Sequence, residues 1–372
     1  MRKTPIILLA SALPLAVQAA NTEFSYGGYI KFDAMYSQYN DGELSAGSSG
    51  RDFYIPSVTP VGGDDSSSLD FTARSSRFNF KTVTNLENGE KITGFAELDF
   101  LLHSDGNEVA SNSYSPRLRH FFFTYNNLTF GQTWTTFLNT SSLPETVDFF
   151  GVPEGTPFAR QPLIRYTAGN FQVSLENPES TVNTTSGTND DSSIPDVVAR
   201  YNISSGSLNM SVAAIARQIS RQDDTTDFDE SETGFGVNVA GAVKIGNDDL
   251  KFSVTNGQVA RYVGLGIAAP DAIISGGDLK TTDVTAAFVA YRHFWTPQMR
   301  STIAYSMMQM DYGVDNTGLT DSTNSARVNL MYSPVKEITY GLEYSHVQRE
   351  LDDSANTDGS MDRLQFTAKY SF

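Results

Sequence analysis

Segments of about ten residues, each alternating apolar and polar side chains, recur from Phe24 to Phe372. The stretches that separate them alternate between long and short. The long ones are 40–68, 104–116, 138–161, 177–195, 220–231, 256–280, 311–323 and 348–360, all polar. The short ones are 85–90, 126–127, 168–170, 204–206, 246–249, 295–298 and 333–336. In the first segment Phe24, Tyr26, Ile30, Phe32, Ala34 and Tyr36 share one face, and Ser25, Lys31, Asp33 and Ser37 share the other. Side chains alternate across a strand, so each segment has one apolar and one polar face. A soluble sandwich would bury the apolar face on a second sheet. An even number of such strands, with short turns at one end and long loops at the other, describes an outer-membrane barrel instead. The expected fold is all-β: a transmembrane antiparallel β-barrel of about sixteen strands, with long extracellular loops and short periplasmic turns. The last strand fits, with Leu364, Phe366, Ala368, Tyr370 and Phe372 on one face. Tyr36, Phe100, Tyr201, Tyr332, Tyr344 and Tyr370 fall near strand ends, where interfacial aromatic girdles belong.

The N-terminus supplies the route. MRKTP carries two positive charges, an apolar run follows to Val17, and small residues end at Ala19. That order reads as a secretory signal over residues 1–19, with the barrel over 20–372. Its apolar run is too short to span a bilayer, which takes about 20 residues, and no later run is longer. Cysteine is absent, which excludes a small disulfide-stapled scaffold. The formal charge of −17 becomes −19 once Arg2 and Lys3 leave with the signal, a balance that excludes nucleic acid as a partner.

The two signs of charge are distributed differently. Acidic residues crowd the long stretches, including Asp41, Glu43, Asp64, Asp65, Asp190, Asp191, Asp223, Asp224, Asp227, Asp229, Glu230, Asp352, Asp353 and Asp358. Basic residues lie within strands, in phase with the polar face. An Arg facing lipid at mid-bilayer costs about 2–4 kcal/mol, so these belong in the lumen. The candidate pore-lining, anion-binding residues are Arg77, Lys81, Arg117, Arg119, Arg160, Arg165, Arg200 and Arg217. Arg74 and Arg77 are three apart, so a bulge near Ser75-Ser76 is needed to bring both inside. Strand acids such as Glu97, Asp99, Glu176 and Glu343 sit beside them as compensating partners.

The third long stretch is distinctive. It carries Pro144, Pro153 and Pro157 with Gly151 and Gly155, so it pairs poorly with a sheet. It also carries Phe149, Phe150 and Phe158, rings that folding into the lumen would bury. Its acids, Glu145, Asp148 and Glu154, are then expected to oppose the arginines across a constriction. Opposed charges there make a transverse field, and Arg/Lys rings select anions.

Six stretches carry a family resemblance: SRFNFKT (76–82), GFAELDF (94–100), NSYSPRLRHFFF (112–123), LTFGQTWTTF (128–137), ETVDFFGVPEGTPFARQPLIRYT (145–167) and LENPE (175–179). Together they resemble the DcaP-like porins of Gram-negative outer membranes, densely over residues 70–180 and more weakly beyond. The resemblance implies a homotrimeric porin that passes small anionic solutes, dicarboxylates being the suggested class. It implies pore-lining roles for Arg77, Arg117, Arg119, Arg160 and Arg165. Some members carry a helical segment before the barrel; here a strand pattern starts a few residues past the expected cleavage site, so no such extension is expected.

Other readings are a non-selective porin, a barrel enzyme, and a receptor or adhesin that uses its loops. An enzyme needs a nucleophile, a base and an orienting group within reach. His103, His120, His293 and His346 are scattered, and neither HExxH nor GxSxG occurs. No catalytic residue, metal ligand set or cofactor is expected. The expected partners are small anionic solutes, outer-membrane lipid and lipopolysaccharide, and further copies of the chain. The apolar patch from Val263 to Ile274 is expected either to touch another subunit or to cap its own barrel.

Overall fold

The computed structural model describes residues 21–101, 112–183, 192–223, 228–315, 317–353 and 358–372. The signal segment 1–19 and Asp190, Asp191, Asp224 and Asp227 lie outside them. The barrel strands in chain order are β1 (Thr22–Tyr39), β2 in two pieces (Ser66–Thr72 and Arg77–Asn85), β3 (Lys91–Asp99), β4 (Arg117–Tyr125), β5 (Leu128–Trp134), β6 (Arg160–Ala168), β7 (Phe171–Glu176) and β8 (Asp196–Ser205). They continue as β9 (Leu208–Asp223), β10 (Phe228–Ile245), β11 (Asp248–Gly257), β12 (Asp283–Phe294), β13 (Met299–Asp311), β14 (Thr320–Val335), β15 (Ile338–Leu351) and β16 (Asp358–Ser371). Each pairs antiparallel with its sequence neighbours, and β16 pairs with β1. The result is a closed barrel of sixteen strands among the described residues. Closure leaves no sheet edge in hydrocarbon, where an unpaired backbone group has no water to bond.

The alternation seen in sequence sorts side chains as expected. Ile30, Phe32, Phe80, Phe121, Phe123, Val237, Leu342 and Phe366 stand exposed on the outer wall. Lys31, Asp33, Glu97, Asp99, Arg119, Arg327 and Arg363 are buried on the inner side. Tyr36, Tyr201, Tyr332, Tyr344 and Tyr370 also stand on the exposed face.

Two register dislocations shape the wall that matters. Asp33 pairs with Thr72 and Tyr29 with Arg77, so five steps along β2 oppose four along β1. This extra residue is the expected bulge, and both Arg74 and Arg77 turn inward around it. A second bulge lies between β3 and β4. Glu97 pairs with His120 while Leu98 pairs with Leu118, which leaves Arg119 unopposed.

The strands run further than the polar stretches suggested. Much of 220–231 and 348–360 is strand, because pairing beyond the membrane needs hydrogen bonds but no apolar face. Three long connections fold inward instead: residues 40–65 (loop 1), 135–159 (loop 3) and 258–282 (loop 6). Loop 1 carries a short helix, Ser49–Asp52, and packs Tyr54 against Tyr39, Val347 and Met361. Loop 6 packs Val263, Ala268, Ala269 and Ile273 on Val284, Ala286, Met308 and Met310. The apolar patch from Val263 to Ile274 therefore caps its own barrel. All three loops meet at Phe53, Ile55 and Phe150, with Phe149 and Leu265 alongside.

Leu342 stands exposed on the outer face, opposite Leu330 and Phe366. Leu342→Arg is expected to lower the free energy of unfolding by up to about 2–4 kcal/mol, read from urea titration in lipid vesicles.

Candidate functional site: a basic wall and the loops that face it

A cavity of about 460 Å3 lies between loop 3 and the wall built by β2–β6. Four guanidiniums reach it: Arg77, Arg117, Arg119 and Arg160. Two carboxylates organise the first three. Asp99 accepts from Arg117 Nε and Nη2, both at 2.8 Å, and from Arg119 Nη1 at 2.8 Å. Glu97 accepts from Arg119 Nε at 2.7 Å and stands 3.5 Å from Arg77 Nη1. Fork-on-carboxylate pairs of this kind fix the orientation of the planar group. Arg160 has no carboxylate partner among the described residues and lies over the Trp134 ring at 4.4 Å. Four positive charges thus stand against two negative ones.

Rings complete the cavity. Arg77 and Arg119 lie 5.1 and 5.2 Å from the centroid of Phe149. His120, brought inside by the bulge, packs among Phe95, Phe122 and Trp134, and its Nδ1 lies 3.0 Å from Thr133 Oγ1.

Loop 3 crosses the lumen to the opposite wall, β12–β15. Two glycines allow the close approach. A Cβ on Gly155 would lie 2.4 Å from the backbone carbonyl carbon of Ala287, and one on Gly341 would lie 2.7 Å from Val147 Cγ2. The loop's acids are used in docking. Glu145 is gripped by Arg292 Nη1 at 2.8 Å and Arg300 Nε at 2.7 Å. Asp148, 2 % exposed, accepts the backbone N–H groups of Tyr54 and Phe150. Glu154, 1 % exposed, accepts the hydroxyls of Ser306 and Ser325. Glu343 on β15 accepts the N–H groups of Val147 and Asp148.

This placement corrects the expected opposition of charges across the aperture. Glu154 is turned to the far wall, Asp148 is taken up by backbone N–H groups of loops 1 and 3, and Glu145 is neutralised by two arginines of the far wall. A buried carboxylate without donors is costly; the far wall supplies them to Glu154, and the backbone of loops 1 and 3 supplies them to Asp148. The loop therefore shows the basic wall its rings, Phe149, Phe150 and Phe158.

The chain matches the DcaP outer membrane protein family over residues 10–372. The chain belongs to that family. Its fold is similar to that of the outer membrane channel DcaP of Acinetobacter baumannii, at 26% identity and a TM-score of 0.80, over 95% of this chain and 98% of that one. Two further neighbours share the fold. One is OmpT of Vibrio cholerae in a trimer form, at 12% identity and a TM-score of 0.56, over 95% and 100% of the chains. The other is an anion-selective porin from Comamonas acidovorans, at 11% and 0.57, over 95% and 100%. A sequence search of curated proteins gives no match. The molecule is an outer-membrane channel.

Not every basic residue singled out by phase lines the passage of this DcaP-family channel. Lys81 stands lower on the same inner face as Arg77, exposed. Arg165 donates to Thr136 Oγ1 at 2.7 Å and to the Trp134 carbonyl, and Arg200 donates to the carbonyls of Thr136 and Leu138. These two hold the root of loop 3. Arg217, 3 % exposed, binds Asp271 at 2.6 Å and approaches Asp196, tying loop 6 to β8 and β9. Tyr262 of loop 6 donates to Asp196 Oδ2 at 2.6 Å. Burial, reinforced by Asp196 and Glu176, pushes its phenol well above the ordinary value, so it stays a donor.

Sequence reasoning missed Arg292 and Arg300, which grip Glu145, and Arg261, which donates to Gln161. A demand for a partner for each loop carboxylate would have pointed to the first two.

Burial alone would raise the Glu145 carboxyl, but Arg300 and Arg292 outweigh it and hold it below the ordinary value. A depressed carboxyl contributes stability above the free value, about 4.3, and loses it as pH falls through the bound one. Glu145→Gln should weaken the dock by roughly 1.5–3 kcal/mol. Open-channel current noise at pH 7 is then expected to rise to a level the unaltered channel reaches only once pH falls below the free carboxyl value.

Proposed function

We propose that this channel passes small anionic solutes by passive diffusion, dicarboxylates among them, with selection at the basic wall of β2–β6. The observation that carries the reading is the excess of four guanidiniums over two carboxylates around one cavity, with the loop 3 acids turned to the other side. In a narrow, partly desolvated passage a guanidinium attracts a carboxylate more strongly than in bulk water. Passage also needs release, and several moderate sites in series serve this better than one tight site. Arg160 and Arg77 carry the least compensated charge, so a passing anion meets them most directly. The anion-selective porin from Comamonas acidovorans, which shares this fold, agrees with this reading.

Homotrimeric assembly belongs to the same reading. The outer face of β2–β5 carries an apolar groove among Phe80, Phe121, Phe123 and Phe130, floored by Gly94 and Gly131. Aromatic rings around a concave floor suit packing of one copy on another. The rest of the outer face suits lipid, with lipopolysaccharide beyond the upper girdle. Residues 1–19 act as the export signal.

Reversal potentials across planar bilayers in a KCl gradient test the selectivity. Anion preference is expected for the unaltered channel. Arg77→Glu with Arg160→Glu is expected to invert its sign, and succinate is expected to block current more than acetate does. A sign left unchanged in the double variant overturns the basic-wall reading and leaves the channel intact.

A further inference from the structure

The two strands that close the barrel carry like charges face to face. Lys31 of β1 pairs in register with Lys369 of β16, and both are in phase with the inner face. Like charges directly opposite on one face of a sheet repel, so such a pair weakens the seam it sits in. Only one of the two is compensated. Lys31 Nζ binds Asp33, which also accepts from Ser75 Oγ and Gln365 Nε2, both at 3.0 Å. Lys369 has no carboxylate within ion-pair distance among the described residues, and it is half-buried.

One ring ties Lys369 to the basic wall. Its Nζ lies 5.6 Å from the centroid of Tyr29, and the Arg77 guanidinium lies 5.2 Å from the same centroid. The two cations are therefore no further apart than those distances combined. Register holds Tyr29 between them, since it pairs with Arg77 on one side and with Ser371 on the other. Gly28 allows the close approach: a Cβ there would lie 2.1 Å from the Arg77 carbonyl oxygen. Arg77 is itself loosely held. Its Nε is buried with no hydrogen-bond partner, and its Nη1 stands 3.5 Å from Glu97. The other charges that act on Lys369 are Glu145, Lys31 and Arg300. Glu145 is already gripped by Arg292 and Arg300, so the surroundings of Lys369 stay cationic.

We propose that Arg77 and Lys369 form a two-point subsite for diacids, with one carboxylate on the guanidinium and the other on the ammonium, across the Tyr29 ring. This rests on the anion-channel reading above, and it carries the basic wall past β2, over the closure seam, to β16. A monoacid uses one of the two cations at a time, whereas a short diacid uses both. The preference for diacids is then set here rather than at Arg160. Neither end is a tight grip. Lys369 is a point charge on a flexible stem, and Arg77 shares its charge with Glu97, so release stays easy.

The test is block of current through the full channel in planar bilayers by succinate and by acetate. The readout is the ratio of their half-blocking concentrations. Lys369→Gln is expected to raise the half-blocking succinate concentration about tenfold, as the loss of one charge-assisted contact does. Acetate should shift by less than about twofold, the scale of one exposed ion pair. Reversal potentials in a KCl gradient should keep their sign, because the arginines remain. Lys369→Arg keeps the charge and should keep the ratio. Lys244→Gln removes one positive charge from the exposed periplasmic end of β10, away from the seam, and should keep it as well. A ratio unchanged in Lys369→Gln, while Arg77→Glu with Arg160→Glu still inverts the sign, overturns the subsite and leaves the basic-wall reading in place. An equal change of ratio in Lys369→Gln and Lys244→Gln overturns it too, because any lost charge would then serve.

Discussion

Hydrocarbon offers no hydrogen bond to a backbone amide and no counter-charge to a guanidinium, and this structure follows from that refusal. The first deficit closes the sheet on itself, β16 to β1. The second drives every strand arginine inward, where water and carboxylates are. A lumen filled with positive charge is not stable unaided. Glu97 and Asp99 therefore stand among Arg77, Arg117 and Arg119, Asp196 and Asp271 surround Arg217, and Glu343 stands by Arg327. Where compensation is complete, the charge is structural. Where it is incomplete, around Arg160, it remains directed at the passage.

The loops divide the remaining labour. Loop 3 sets Glu145 and Glu154 against the far wall and Asp148 against loop 1, and shows its rings to the near wall. Arg165 and Arg200 hold its root through backbone carbonyls, while Arg292 and Arg300 hold its middle through Glu145. Loop 6 is tied down by the buried group of Arg217, Asp196, Asp271 and Tyr262, and its glycine turn rests on Met308. The passage is thus bounded by pieces fixed at several points rather than by loops free in solvent.

Much of this was legible in the sequence, because a barrel's two faces are written at period two. Phe80 against Arg77, or Leu364 against Arg363, announces lipid on one side and water on the other. The bulge near Ser75-Ser76 was legible for the same reason, since two arginines three apart cannot otherwise share a face. What period two cannot convey is which inward charge meets which. Arg217 and Arg117 read alike in phase, yet one is sealed against Asp271 and the other lines a cavity. The docking of Asp148 on loop 1 and of Glu154 on the far wall depends on Tyr54, Ser306 and Ser325, which lie far away in the chain. The extra residue at Arg119 was also hidden, because Arg117 and Arg119 already fit a regular strand without it.

That hidden residue has a consequence for how such a wall can change over generations. Arg119 is the member of β4 that no residue of β3 opposes, and it stands between Leu118 on the outside and His120 on the inside. Excising it would leave Leu118, Phe121 and Phe123 still turned to the acyl chains, and Arg117, His120 and Phe122 still turned to water. A single codon lost or gained at this point therefore adds or subtracts one guanidinium without scrambling the strand's two faces. The charge of the wall is in this sense modular, adjustable by insertion and deletion as well as by substitution.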